Sequence, residues 1–352
     1  MPAAPPPPLP HTGLPCPADQ MDDFLSRPTP RVIEVIARTK GPFLVLGAGG
    51  KMGLHLCLML RRALDELGRS DRVLAASRFA SLRDAEAFSG RGIEAIRCDL
   101  SNDDEVQQLP EAPVVFFLAG VKFGTAAAPG LLQATNVDIP RRVGTRFAAS
   151  RIVAFSSGNI YPFVTPASGG ASEATPPAPV GDYAASCLAR ERAFTASAHS
   201  RGTPVALLRL NYAVEFRYGL LVDIAQAVLA ERTVDVTTGH VNVIWQTDAV
   251  THTIQALEIA GVPVVPINIT GRDILSVRDL AQQFGAALHR PVRITGVEAP
   301  TALLNNAAHS HRLFGPPATS VDQMIAWISA WLTQGGETWG KPTGFERRDG
   351  RF

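Results

Sequence analysis

The 352-residue chain has little surplus charge: 33 Lys and Arg against 32 Asp and Glu give a formal net charge of +1, and charged residues are only 18% of the total. That balance excludes a nucleic-acid surface and a polybasic membrane patch, both of which need clustered positive charge. Cysteine is scarce and scattered, at Cys16, Cys57, Cys98 and Cys187. No two stand at metal-ligand spacing, so neither a zinc site nor a disulfide framework is expected; no metal is assigned, and the expected compartment is reducing and cytoplasmic. Uninterrupted apolar runs long enough for a bilayer are missing, as is an apolar core to the N-terminus that would read as a secretory signal, so no membrane partner is expected. No internal repeat is visible.

Proline, by contrast, crowds the start, with Pro5, Pro6, Pro7, Pro8, Pro10, Pro15 and Pro17. Such a segment can neither propagate a helix nor donate to a sheet, and residues 1–27 are expected to be a disordered extension rather than a docking motif. Apolar residues make up 46% of the chain, enough for a sizeable core. Beyond the extension, short apolar runs alternate with helical periodicity. Strands are expected over 43–46, 72–76, 93–98, 113–119, 152–155 and 205–210, and helices over 28–39, 52–67, 81–88, 131–150 (with a kink at Pro140) and 183–200. Alternation of this kind predicts an α/β fold, a Rossmann-type doubly wound parallel sheet over residues 28–211. The rhythm loosens after residue 212, where helices over 220–231, 277–288 and 321–332 and a strand over 263–269 outline a smaller substrate lobe at 212–334, with strands able to return to the main sheet, and a polar surface tail at 335–352. Trp327 and Trp331, one turn apart, read as core packing.

Between the first strand and its helix lies Gly47-Ala48-Gly49-Gly50-Lys51-Met52-Gly53. A dinucleotide site needs glycine here three times over: to turn sharply, to let backbone amides approach a pyrophosphate, and to bring helix against strand. The helix N-terminus then offers N–H groups to the anion. The strand–helix context makes the triplet, with Lys51 and Met52 between its glycines, a candidate cofactor turn. At the end of the second strand, where a carboxylate would receive a ribose hydroxyl, the chain has Ser77 and Arg78, which suit a 2′-phosphate and lean the cofactor to NADP over NAD.

Further segments fall in an order that resembles the NAD-dependent epimerase/dehydratase family, the extended short-chain dehydrogenases. They are Gly47-x-x-Gly50-x-x-Gly53, Asp99-Leu100 after the third strand, Leu118-Ala119-Gly120-Val121-Lys122 after the fourth, Asn136-Val137, Ser156-Ser157-Gly158-Asn159-Ile160-Tyr161 after the fifth, Glu173, Pro179, Tyr183, and Asp248 within 243–250. The resemblance spans roughly residues 42–290 and implies an NAD(P)-dependent oxidoreductase or epimerase acting on a carbonyl or hydroxyl, such as that of a sugar nucleotide. It implies that Asp99, Leu100, Leu118, Ala119 and Gly120 border the dinucleotide, that Asn136 supports the site, that Ser157 bonds a substrate oxygen and that Tyr183 exchanges a proton with it. It also implies a homodimer through the helices near 131–150 and 183–200.

One residue departs from the pattern. Where the family has Tyr-x-x-x-Lys, this chain reads Tyr183-Ala184-Ala185-Ser186-Cys187. The lysine lowers the phenol pKa and binds the nicotinamide ribose, and a neutral thiol does neither. Three readings follow: Cys187 only fills space and turnover is weak or absent, another cation serves, or Cys187 itself reacts. Lys122 is the first candidate for the cation, Arg190, two turns from Tyr183, the second; no neighbour that would make Cys187 a thiolate is evident. Two functions are therefore carried forward, an enzyme and a catalytically silent dinucleotide-binding regulator. Asn211, Glu215, Arg217, Asn242, Trp245 and Gln246 are polar enough to line a pocket in the second lobe, while His240, His252, His309 and His311 read as packing or surface residues.

Overall fold

The computed structural model describes residues 13–122 and 130–350, apart from the side chains of Leu82 and Arg83. The run Pro5 to Pro10 lies outside the described residues.

In chain order the elements are α1 Met21–Leu25, α2 Pro30–Ala37, β1 Phe43–Leu46, α3 Gly53–Glu66, β2 Val73–Ser77, α4 Leu82–Ser89, β3 Glu94–Arg97, α5 Asp103–Gln107, β4 Val114–Phe117, α6 Leu131–Gln133, α7 Ile139–Arg146, β5 Arg151–Ser157, α8 Gly181–Arg201 and β6 Val205–Leu210. There follow β7 Ala213–Val214, α9 Leu220–Leu229, β8 Thr233–Asp235, β9 His240–Val241, β10 Ile244–Trp245, α10 Gln246–Gln255, β11 Val265–Ile269, β12 Leu275–Ser276, α11 Val277–Leu288, β13 Arg293–Thr295, α12 Ala308–Phe314 and α13 Val321–Thr333.

Seven strands form one parallel sheet in the order β11-β6-β5-β4-β1-β2-β3. Its central strands are buried throughout, as parallel strands covered by helices must be. One face packs against α2, α3 and α10 through Val35, Leu56, Leu60 and Ile254; the other packs against α5, α7 and α8 through Val106, Val143 and Phe194. The order reverses between β1 and β4, and a ligand crevice is expected at the carboxyl ends of those strands.

A second core joins α1, α9, α11 and α13. Phe216 stands edge-on to Trp245 at 4.9 Å, and Trp327 and Trp331 both pack against Phe216, so the tryptophan pair is core. The chain of the second lobe is not continuous: α10 and β11 belong to the main layer, β11 beside β6.

Three expectations are corrected. The extension is not unstructured up to residue 27, because Met21 and Leu25 bury their side chains in the second core and Asp22 bonds the His55 ring at 3.0 Å. The helix expected over 131–150 is corrected in detail: helical backbone runs from Leu131 to Arg146, and the irregularity at Pro140 is a π-helical turn at Ala134–Asp138 just before it. The tail does not merely cover the surface: Phe345 is buried, and Gly350 packs on Gly181 at the start of α8.

Candidate functional site

The site lies at the carboxyl ends of β1, β4 and β5, in a cleft of about 320 Å³. Its floor is the turn from β1 to α3. Gly47 has φ +80°, which favours glycine, and a Cβ there would stand 2.6 Å from the backbone nitrogen of Ala119. A Cβ on Gly53 would stand 2.1 Å from the Ala48 carbonyl oxygen, so helix and strand meet at a distance only glycine allows. No side chain caps α3, leaving its N-terminal amides to an anion. These features fit a dinucleotide pyrophosphate.

The wall is built by β5 and α8. Ser157 ends β5 and its hydroxyl accepts a bond from the Asn159 amide at 3.2 Å. Tyr183 sits in the first turn of α8, with its phenol hydrogen-bonded to Ser157 and to the Cys187 thiol. Burial pushes the Tyr183 phenol well above its ordinary pKa and Cys187 adds to the rise, while Arg190 and Ser157 oppose it. Cys187 is fully buried, and burial pushes its thiol up as well. A protonated thiol in such a place is not a nucleophile.

Asn136 lies behind the cleft on the π-helical turn, a distortion frequent at functional sites. Its Oδ1 accepts from the Val121 amide at 3.1 Å and its Nδ2 donates to the Val121 carbonyl at 3.0 Å and to the Ser186 hydroxyl at 2.8 Å. One side chain thus ties the loop after β4 to α8. On that loop, Lys122 Nζ donates to the Thr343 carbonyl at 3.4 Å and stands 5.8 Å from the centre of the Tyr183 ring. Burial holds its ammonium down to about 8. Lys51 reaches from the glycine turn to the Ala213 carbonyl and lies 4.4 Å over the Tyr218 ring; burial likewise holds it at about 8.

Beneath β5 and β6 a buried network fixes the wall. Glu191 receives the Ser156 hydroxyl at 2.6 Å and pairs with Arg209 at 2.8 Å; Arg209 also donates to the Tyr161 phenol oxygen at 2.7 Å. Glu173 receives the Asn268 amide at 2.8 Å.

The structure brings Gly47, Gly50, Lys51, Met52, Leu118, Gly120, Lys122, Ser157 and Tyr183 together in the cleft. Gly53, Ala119 and Asn136 stand directly behind it. Ser77, Arg78, Asp99 and Leu100 do not line it. They lie at or beyond the neighbouring ends of β2 and β3, where Ser77 abuts Gly49 and Arg78 is exposed. Asp99 is bonded to the Ser101 amide and hydroxyl, and those bonds, more than the charge of Arg78, hold its carboxyl below its ordinary pKa. Of the second-lobe residues named from the sequence, only Asn211 reaches the cleft. Glu215 pairs with Arg217, Asn242 bonds Asp273, Gln246 bonds His55 and Trp245 is core. Asp248 clamps the amides of Ala318 and Thr319.

Sequence reasoning missed Tyr212, Tyr218 and Thr343 and ranked Arg190 second, although all four line the cleft. For Arg190 the helical spacing from Tyr183 was the available signal; Thr343 reaches the site through tail folding that no periodicity encodes. None of His240, His252, His309 and His311 lines the cleft. Among the described residues no cluster of three or more His, Cys, Asp or Glu could hold a metal, and no helix is long and apolar enough to cross a membrane.

No curated protein matches the chain by sequence. Solved structures of similar fold include the UDP-glucuronic acid 4-epimerase from Bacillus cereus in complex with NAD, with 18% identity, a TM-score of 0.68, and 83% of this chain and 98% of that chain covered. They also include WbmG from Bordetella bronchiseptica in complex with NAD and UDP, with 17% identity, a TM-score of 0.69, and 87% and 99% covered. The NAD dependent epimerase/dehydratase family matches residues 43–214, from the first strand of the sheet through the glycine turn, Ser157 and Tyr183. By that match residues 43–214 of this chain are similar to the NAD-dependent epimerase/dehydratase family.

Proposed function

We propose that the protein is an NAD(P)-dependent oxidoreductase or epimerase that acts on a carbonyl or hydroxyl group of a sugar nucleotide. The observation that carries this reading is the hydrogen-bonded pair of Ser157 and Tyr183 beside the glycine turn, in one cleft. When bound, a nicotinamide dinucleotide supplies or accepts a hydride at the substrate carbon. The chain's own residues handle the oxygen. Ser157 holds it by a hydrogen bond, and Tyr183 gives it a proton or takes one, stabilising the charge that develops there. Asn136 keeps the loop after β4 and α8 in register, and Lys122 places a positive charge at the mouth. The glycine turn with Lys51 and Met52 holds the pyrophosphate, and Asp99 and Leu100 border the adenine. Ser77 and Arg78, with no carboxylate between them, favour the 2′-phosphate of NADP. The two structural neighbours described above are NAD complexes, so the preference is a property to be measured on this chain. UDP in one of those complexes supports the sugar-nucleotide class.

A panel of UDP-sugars assayed by dinucleotide absorbance and by product chromatography tests the reading. Turnover that Tyr183→Phe removes sustains it; turnover indifferent to that change ends it. The second reading, a dinucleotide-binding regulator without chemistry, is favoured by the buried thiol at the lysine position. It predicts cofactor binding with no turnover across the panel, and a partner whose affinity follows the bound redox state. Assembly as a homodimer through α7 and α8, and a cytoplasmic location, follow from the family resemblance and the unpaired cysteines. Sedimentation as a monomer at micromolar concentration would remove the first of these.

A further inference from the structure

We infer that Arg190 is the cation that replaces the missing lysine, facing Tyr183 and the dinucleotide from beneath the cleft. The inference rests on the dinucleotide-dependent reading above. Residues 183, 187 and 190 share one face of α8, at helical spacings of four and three. A long helical side chain leans toward the N-terminus of its helix, so Arg190 covers the surface above Cys187. The guanidinium lies among the Phe155 carbonyl, Asn136 and Gly120, and its charge acts on both Cys187 and Tyr183.

Four observations place it there. Arg190 lines the cleft although it is only 5% exposed. It is anchored at two points, by Nη1 to the Phe155 carbonyl at 3.0 Å and by Nη2 to Asn136 Oδ1 at 2.6 Å. Gly120 makes way for it: a Cβ at that position would stand 2.5 Å from Nη2. Finally, its buried Nε has no hydrogen-bond partner among the described residues. The neighbouring carboxylate, Glu191, is held by Arg209 and Ser156. A buried guanidinium with an open donor and no carboxylate of its own is costly unless something negative or polar arrives to meet it. A tyrosinate and a ribose hydroxyl are such groups.

The charged and titratable groups acting on Tyr183 are Cys187 and Arg190 from α8 and Lys122 from the loop after β4. Lys122 is the weaker claimant. Its ammonium bonds the tail at Thr343 and is shared among the fields of Cys187, Glu346 and Asp223. It is left to meet the substrate.

The test uses the full-length chain, NADH as probe and five variants: Arg190→Gln, Arg190→Lys, Lys122→Gln, the relocated charge Cys187→Lys/Arg190→Leu, and Tyr183→Phe as the blank for tyrosinate absorbance. Fluorescence titration reads NADH affinity, and pH titration reads Tyr183 ionisation in the chain without cofactor. Arg190→Gln is expected to weaken NADH about tenfold or more, the loss of a charge-assisted bond, and to move Tyr183 ionisation to higher pH. Arg190→Lys should fall between, the relocated charge should recover both readouts, and Lys122→Gln should shift both clearly less than Arg190→Gln does. A folded Arg190→Gln protein that binds NADH and titrates like the parent overturns the inference, as does a Lys122→Gln protein that shows the losses instead. Should Arg190→Gln fail a thermal-melting check, the relocated charge decides: recovery supports the role and a folded protein without recovery ends it. A parent chain that binds no NADH refutes the dinucleotide reading itself, and the Tyr183 titration still judges Arg190.

Discussion

A phenol enclosed by protein is a weaker acid than one in water, and Tyr183 shows the direction plainly. Its use as a proton donor and acceptor therefore depends on the hydroxyl and the cations around it. Tyr183→Phe is expected to lower turnover about 10²–10⁴-fold while leaving NADH affinity within about twofold, since the ring is kept; steady-state rates and a binding titration on the same preparation check both. Cys187 is expected to resist alkylation in the native chain and to react once unfolded, because its thiol is buried and its pKa raised; mass spectrometry of iodoacetamide-treated protein reads this directly. At this scale the sequence was informative where chemistry repeats. Ser157 and Tyr183 were legible from order and spacing, and so was the lack of a lysine at position 187, four residues after Tyr183. Which cation compensates was not, because that depends on the direction in which Arg190 leans and on the absence of a Cβ at Gly120, and neither is a property of spacing.

The elements divide in the same way. The strands β1, β2, β4, β5 and β6 were legible because a covered parallel strand is largely apolar and its helix periodic, and the half-exposed edge strand β3 by its place in the alternation. The glycine turn was legible because three glycines between such elements have few other uses. At Gly53 the contact leaves no room for even one methyl group: Gly53→Ala is expected to cost about 1–3 kcal/mol and to reduce dinucleotide affinity, since backbone at Ala48 would have to yield. Chemical denaturation and NADH titration of the variant check the two losses. The π-helical turn at Asn136 was hidden, since one extra residue within a helix changes no composition and Pro140 marked only a kink. The short strands of the second lobe, two or three residues each, fall below the length at which alternation can be read. For the same reason the polar residues named there from composition were assigned to a pocket that only Asn211 reaches.

At the scale of the whole molecule, the N-terminal segment joins the two cores. Asp22 accepts from the His55 ring on α3 and pairs with Arg91 and with Arg217 beyond β7. Its carboxyl is held well below the ordinary range, first by the bond to His55, with burial opposing. A depressed folded pKa stabilises above the unfolded value, near about 3.9 for aspartate, and the contribution is lost as pH falls through the folded value. Asp22→Asn is therefore expected to lower the melting temperature at neutral pH and to change it much less in strong acid; equal losses at both would show that the clasp is not electrostatic. The tail works from the other end, carrying Thr343 to the cleft and laying Gly350 on Gly181.

All of this turns on whether the cleft holds a nicotinamide dinucleotide. The most direct measurement is a fluorescence titration of the purified chain with NADH and NADPH side by side. The glycine turn predicts saturable binding, and Ser77 with Arg78 predicts that NADPH binds more tightly, by a margin that Arg78→Ala removes. Saturable binding of NADH alone would contradict the assignment of Arg78, and binding of neither would contradict the account at its base.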